Sequence, residues 1–394
     1  MTREGKRSAG SLVGMVTYLD HAATTPMRPE CADAMLPFLG GRVGNPSGGH
    51  AAARAARQAI EEARETVAET LGAHPGEVVL TGGGTEADNL AITGVLARQG
   101  GLPLCSAVEH HAVLHPVQAL EGRVVAVHGD GRVDLAALDA ALDTQVGVVS
   151  LMLVNNEVGT VQPLAEATAL VAERAPGAVV HTDAVQAFPW LDVAAEAAPA
   201  HLVAVSAHKF GGPQGVGALV VREGVAVEPL LRGGGQERDR RSGTHNVAGI
   251  VGMAAAMRAT VAHRGGTVER VARLRDRLAD GLLSAVPGVT ESGTRATKVA
   301  GTCSLLIEGI ESEALLVLLD QAGICATAAS SCASGAMEPS HVLAAMGVPR
   351  ALAYGSLRLS LGWTSTDGDV EHALEVVPAA VAQLRERTAL TPAP

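Results

Sequence analysis

Residues 201–221 read HLVAVSAHKFGGPQGVGALVV. The runs HLVAVS and GALVV are short, apolar and rich in valine, as buried strands are, and a glycine-laden turn joins them. Lys209 lies in that turn. The chain has thirty Lys and Arg residues, of which three are lysine: Lys6 in a polar N-terminal tail, Lys298 in a Gly/Thr-flanked segment, and Lys209 between the two apolar runs. Arginine keeps its proton, whereas a lysine amine of depressed pKa can lose it and condense with a carbonyl to an imine. Lys209 is therefore the candidate imine-forming residue, set against the plainer reading of a buried or snorkelling lysine. Ser206 and His208, where the strand gives way, can donate to phosphate oxygens. Gly211, Gly212, Gly215 and Gly217 let the backbone turn before the next strand.

About one strand upstream, AVVHTDAVQ (178–186) brings Asp183 and Gln186 to a strand end. A carboxylate there can keep a pyridine nitrogen protonated, and an amide can hydrogen-bond a phenolic oxygen. Alone, Asp183 reads as a cap or turn residue; beside Lys209 on an adjacent strand it reads as a ring partner. VVLTGGGTEADNLAI (78–92) runs from strand through three glycines into a helix, a place for an anion at the helix N-terminus. It lacks the GxGxxG spacing of dinucleotide sites and the Gly-Lys-Ser/Thr of a P-loop. His110 is expected at a strand end, where it could stack on a planar ring. His111 and His115 have i,i+4 spacing, but no third ligand stands at a metal-type spacing and Pro116 is expected to break the helix, so no metal site is expected.

YLDHAATTP (18–26), GNPSGGH (44–50), TEADN (85–89), EHHAVL (109–114), NNEVGTVQPL (155–164), HTDAVQ (181–186), SAHKFGGPQGVGAL (206–219), GGGQERDRRSGTHN (233–246) and SSCASGAMEPSHVL (330–343) follow one another in order. Together they resemble the cysteine desulfurases, pyridoxal 5′-phosphate (PLP) enzymes of the class V aminotransferase group, from residue 18 to about 361. The resemblance implies the fold-type I, aspartate aminotransferase-like α/β fold. It makes Lys209 the lysine that binds the cofactor aldehyde, His110 the ring-stacking group, and Asp183 the partner of the pyridine nitrogen. Gln186 and Asn156 would contact the phenolic oxygen or the substrate. Gly84, Thr85, Ser206 and His208 would hold the phosphate, with Thr244 reaching in from a second subunit of a homodimer. Arg358 would grip the substrate carboxylate, which suits a planar guanidinium, and Asn45 would assist there.

Cys332 decides the reaction. The cysteines at 31, 105, 303, 325 and 332 form no CxxC pair. Their odd number, without a signal peptide, argues for a reducing, cytoplasmic setting. The first four fall in apolar or element-like stretches, where cysteine is usually a small core residue. Cys332 lies in TAASSCASGAMEP, a run of small residues that reads as a loop. A thiol there could attack a substrate sulfur and carry it away as a persulfide. The resemblance implies conversion of L-cysteine to L-alanine, with the sulfur passed to a cluster scaffold, a tRNA thiolation protein or a DNA-modification system. Cys332 could also be a transient iron–sulfur ligand. Rival readings are a selenocysteine lyase or other lyase of the same fold, and a non-catalytic assembly platform. His21 stands where many relatives have asparagine, Gly82-Gly83-Gly84 replaces the commoner Ser-Gly-Ala, and the tail after the last helix is only TALTPAP.

The 394 residues are 47% hydrophobic, ample for a core beyond one ordinary domain. Strand-like runs alternate with helical stretches in a mostly parallel sheet. The expected organisation is a disordered tail over 1–17, a large PLP-binding domain over 18–261 whose residues 18–30 pack on the small domain, and a small α+β domain over 262–394 carrying the Cys332 loop. A helix is expected to begin near residue 262. The net charge of −11 argues against nucleic acid, and RDRR (238–241) reads as a site near the subunit interface. No apolar run reaches membrane-spanning length. SLVGMV is too short for a signal-peptide core, and translation is expected to start at Met15.

Overall fold

The computed structural model describes residues 16–328 and 339–390. Cys332, the Met15 start and most of the tail assigned to 1–17 lie outside the described residues, whereas Thr17 is already in a strand. That strand, β1 (Thr17–Tyr18), is followed by the central sheet: β2 (Val78–Thr81), β3 (Leu102–Ser106), β4 (Arg123–Val125), β5 (Val146–Ser150), β6 (Val179–Asp183), β7 (Leu202–Ser206) and β8 (Gly217–Val221). Its order is β2-β8-β7-β6-β5-β3-β4. β8 is antiparallel to β2 and β7, and the other neighbours are parallel. The expected mostly parallel α/β fold is thus what forms.

Sequence explains the burial. β5, β6 and β7 are buried along their whole length, as central strands covered by helices on both faces must be. Alternate side chains feed two apolar clusters: Leu80, Val149, Val203 and Val205 on one face, Val79, Val148, Ala204 and Leu219 on the other.

A second, antiparallel sheet is ordered β12-β10-β9, from β9 (Val289–Glu291), β10 (Thr302–Ile307) and β12 (Ser356–Ser360). Here β11 (Ile324–Cys325) pairs in parallel with β1, and Asp20 bridges to Ser360. The N-terminal segment therefore joins this part of the molecule, and Leu19 is buried in its core.

Two local expectations change. The helix expected from residue 262 is the second half of one 39-residue helix, Val247–Ala285. Ile250, Met253 and Met257 pack in the core of the large sheet, while Val271, Leu274, Leu278 and Leu282 pack in that of the small one. Apolar pattern runs through the solvent-facing Gly265 and Gly266, so the glycines do not break it. Pro116 sits inside the helix His111–Ala119 and does not end it. Its missing N–H frees the carbonyl of Ala112 four residues back, and the Asn89 side chain donates to that carbonyl at 3.2 Å.

Gly217 places β8 against the glycine turn that follows β2. A Cβ there would stand 2.6 Å from the Val205 carbonyl oxygen and 2.8 Å from the Gly83 backbone. Overpacking against backbone that cannot yield costs about 1–3 kcal/mol. Gly217→Ala should lower the urea midpoint accordingly without changing the m-value.

Candidate active site

A cavity of about 540 Å³ opens at the carboxyl ends of the central strands and is lined by Gly84, Thr85, His110, Asn156, Asp183, Gln186, Ser206, His208, Lys209 and Arg358. These ten come from separate stretches of chain. Asp183 ends β6, Ser206 ends β7, and a single 3-10 turn, Ala207–Lys209, follows at once.

The Lys209 amine donates to the carbonyls of Ala22 at 2.6 Å and Ala23 at 2.9 Å. Among the described residues no carboxylate lies within ion-pair distance of it. Burial, then the Arg358 charge, lowers its pKa to about 8, against the smaller pull of Asp183 and Asp20. Lys298 is also buried, contrary to its Gly/Thr-rich surroundings, but it is paired with Glu291 at 2.9 Å. Burial alone does not distinguish the two lysines; the missing counter-ion does.

Asp183 is buried, and its Oδ1 accepts the Val185 N–H at 2.8 Å. Burial raises its pKa to about 6, opposed by that hydrogen bond and by Lys209. His110 is the N-cap of the helix His111–Ala119 and not a strand-end residue: its Nδ1 accepts from Ala112 N–H at 3.1 Å, which fixes the ring. Burial and Lys209 lower its pKa. Gln186 donates to the Ala22 carbonyl at 2.7 Å, leaving its amide oxygen for a ligand. His208, lowered to about 4 by burial, stands 3.3 Å from the Thr24 hydroxyl.

The glycine turn has the backbone shape that an anion cradle needs. Gly83 has φ +147°, and a Cβ on Gly84 would meet Val185 Cγ2 at 2.8 Å. The helix Gly84–Gln99 starts there, with first-turn N–H groups that have no intrahelical acceptor. The turn is braced from outside, Glu86 accepting from Gly82 N–H at 2.8 Å and from Arg241 at 2.7 Å. Arg240 and Arg238 donate to the Gly76 carbonyl, so the RDRR cluster is spent on internal contacts.

Arg358, on β12, donates to the Asn156 carbonyl at 2.8 Å and to Asp20 Oδ1 at 3.0 Å, and its Nε is buried with no hydrogen-bond partner among the described residues. Asn45 and Thr244 are exposed and do not line the cavity; Asn45 Oδ1 accepts from Ser47 N–H within its own turn. His111 stacks on His115 at 4.5 Å, and among the described residues no group of three His, Cys, Asp or Glu could hold a metal.

Asp20, the carbonyls of Ala22 and Ala23, and the buried acids Asp88, Glu109 and Glu157 were not singled out from the sequence. Each lies inside a stretch quoted for the resemblance, which was the available signal. His21, the departure from asparagine, is buried with Nδ1 2.6 Å from the Thr25 hydroxyl, and burial lowers its pKa to about 4.

The donor set suits PLP. A glycine cradle at a helix N-terminus fits the phosphate, a half-engaged carboxyl fits the ring nitrogen, and an amine without a counter-ion fits the aldehyde.

Residues 17–373 match the family model for aminotransferase class-V. A cysteine desulfurase of Cereibacter sphaeroides is 45% identical over 377 residues, covering 93% of this chain and 96% of the relative. An IscS-like cysteine desulfurase of Mycobacterium tuberculosis is 47% identical over 393 residues, covering 96% and 99%. Among solved structures, a NifS-like protein superposes with a TM-score of 0.88 at 34% identity, covering 94% of this chain and all of that one.

With the amine at about 8, its neutral fraction grows from pH 7 to pH 9. Capture of added PLP, trapped by borohydride and mapped by peptide mass, should therefore accelerate across that window and not wait for pH 10. Lys209→Arg should abolish the adduct.

Proposed function

The chain belongs to the aminotransferase class-V family, in its cysteine desulfurase group, and from that premise we propose that it moves the sulfur of L-cysteine onto the thiol of Cys332, releases L-alanine, and passes the sulfur to an acceptor protein for iron–sulfur cluster assembly or thiolation. One observation carries the reading. The described residues on either side of 329–338, the stretch that contains Cys332, stand by the cavity. On one side Thr327 and Arg358 exchange backbone hydrogen bonds of 3.3 and 2.8 Å. On the other, Ser340 donates to Glu157, and His341 Nε2 is 2.9 Å from the Glu109 carbonyl.

PLP, when bound, supplies the electron sink that makes the substrate Cα–H acidic. The chain's residues would hold it as follows: Gly84, Thr85, Ser206 and His208 at the phosphate, with Thr244 of a second copy; Asp183 at the ring nitrogen; His110 over the ring; Gln186 and Asn156 at the phenolic oxygen. Arg358, helped by Asn45, binds the substrate carboxylate. The Lys209 amine, neutral in a useful fraction near pH 8, takes the Cα proton. Cys332 thiolate attacks the substrate Sγ. The Cβ–S bond breaks, an S–S bond forms, and Cβ takes up a proton, so that cysteine plus enzyme thiol gives alanine plus enzyme persulfide with no outside oxidant.

We propose the organisation of a large PLP-binding domain over 18–261 and a small one over 262–394, the helix Val247–Ala285 running through both, in a homodimeric cytoplasmic protein. No helix among the described residues is long and apolar enough to cross a membrane. Leu36, Leu39 and Val43 are 68%, 65% and 77% exposed, an apolar face next to Asn45 that supports a subunit contact. Light scattering should give twice the chain mass, falling to the single-chain mass in Leu36→Lys/Leu39→Lys.

The deciding experiment is alanine release from L-cysteine with a thiol reductant. The PLP-loaded protein should turn over, and Lys209→Ala and Cys332→Ala should each lose at least about a hundredfold, as expected when a proton-transfer group or nucleophile is removed. Full turnover of Cys332→Ala on cysteine would point instead to a selenocysteine or other lyase. Absent turnover by an otherwise PLP-binding protein would point to an assembly platform.

A further inference from the structure

Three carboxyl groups are buried at the cavity or next to it: Asp183 at the end of β6 and Asp88 in the helix Gly84–Gln99, which line it, and Glu109 just before the helix His111–Ala119, bonded to the N–H of the lining residue Met152, exposed by 6%, 1% and 0%. Asp88 feels the charges of Asp183 and Glu109, and Glu109 that of Asp183. Lys209 is the cation that faces Asp183. Three carboxylates cannot all stay ionised in so dry a site.

Their surroundings differ. Glu109 is saturated, with Ser106 donating at 2.6 Å and Met152 N–H at 3.0 and 3.1 Å to its two oxygens. Asp183 has its Val185 N–H and the open cavity. Among the described residues Asp88 Oδ1 has no hydrogen-bond donor, and 3.5 Å away stands His181 Nε2, equally without a partner among them. The other ring nitrogen, Nδ1, lies 2.8 Å from the Ser150 hydroxyl. Burial drops His181 to about 3, so the ring is neutral. If Ser150 donates to Nδ1, Nε2 carries the hydrogen and points it at Asp88. Burial, then Asp183 and Glu109, push the Asp88 pKa upward, favouring its uncharged acid. The chemistry described above uses none of Asp88, His181 and Ser150.

We propose that Asp88, backed by His181 and Ser150, is a positioning residue: as the neutral acid it turns its O–H toward Asp183 and keeps that carboxylate ionised and aligned for the ring nitrogen of the cofactor. The inference rests on the PLP reading above. Asp88, like Glu109, which burial raises to about 8, forgoes its charge so that Asp183 can keep its own. His181 holds it in place from behind, as partners of buried functional carboxyls commonly do.

The test compares parent, Asp88→Asn, Asp88→Ala and His181→Gln, each loaded with PLP, by cofactor dissociation constant and by the pH titration of the bound cofactor's visible absorbance. Asparagine keeps the shape, the neutrality and an N–H donor, so Asp88→Asn should stay within about threefold of parent in affinity with an unmoved midpoint. Asp88→Ala and His181→Gln should lose roughly tenfold in affinity and shift the midpoint by about one unit, because Asp183 is then less well held in its charged form. His181→Gln carries the test should Asp88→Ala not fold. Unchanged affinity and midpoint in the folded variants overturn the proposal, and so does an Asp88→Asn as impaired as Asp88→Ala, which would mean that Asp88 acts as an anion. A parent that takes up no PLP overturns the cofactor reading itself, an outcome distinct from these.

Discussion

The Lys209 amine, held by the carbonyls of Ala22 and Ala23, ties together parts of the chain far apart in sequence. Those carbonyls can reach the amine only because the N-terminal segment crosses from the small sheet to the large one. At its start β1 pairs with β11, and Ala22 N–H donates to the Ser360 hydroxyl at 2.9 Å. At its end Thr25 N–H donates to the His208 carbonyl and Arg28 N–H to that of Gly211. Neutral carbonyls solvate an ammonium without fixing its charge as a carboxylate would. The amine is therefore placed by backbone, and the backbone is placed by both sheets.

Charge is sorted along the cavity. Acids gather at the Asp183 floor, Arg358 stands on the small-sheet side, and the helix N-terminus at Gly84 offers a partial positive charge. Three such poles in fixed positions would orient a ligand bearing a basic nitrogen, a phosphate and a carboxylate before any covalent contact is made, which is where much of the advantage of a bound reaction arises. The polar groups that do not face the cavity are largely consumed internally. Glu237, for example, receives Arg64 in a paired contact at 2.7 Å as well as Leu80 N–H and His245, which holds the 233–246 stretch against β2.

The large sheet was legible because its strands are buried on both faces and so read as short apolar runs ended by turn residues. For the same reason Asp183, Ser206 and Lys209 could be placed at strand ends. What could not be read were contacts between distant segments. Nothing local in YLDHAATTP says that Asp20 will meet Arg358, or that two alanine carbonyls will hold a lysine. The unbroken helix Val247–Ala285 was missed because its apolar stripe serves two cores in succession, with Gly265 and Gly266 at the hand-over resembling a boundary. The effect of Pro116 was missed because its remedy, Asn89, comes from another helix. Lys298 seemed a surface residue because its partner Glu291 lies on a strand that the local pattern does not reveal.

Arg358, proposed to bind the substrate carboxylate, is bound up with the architecture. Its backbone is locked to Thr327, and its guanidinium spans the Asn156 carbonyl and Asp20. An arginine left alone in so buried a place would be costly, so Asp20 serves as a resident counter-ion. On the proposed reading, a substrate carboxylate would share the guanidinium with Asp20 or displace it, the buried Nε having no partner among the described residues. Asp20, which pairs with Arg358, is two residues from Ala22, whose carbonyl accepts from Lys209. The proposed carboxylate recognition and the placing of the proposed base would thus be served by one short stretch of chain.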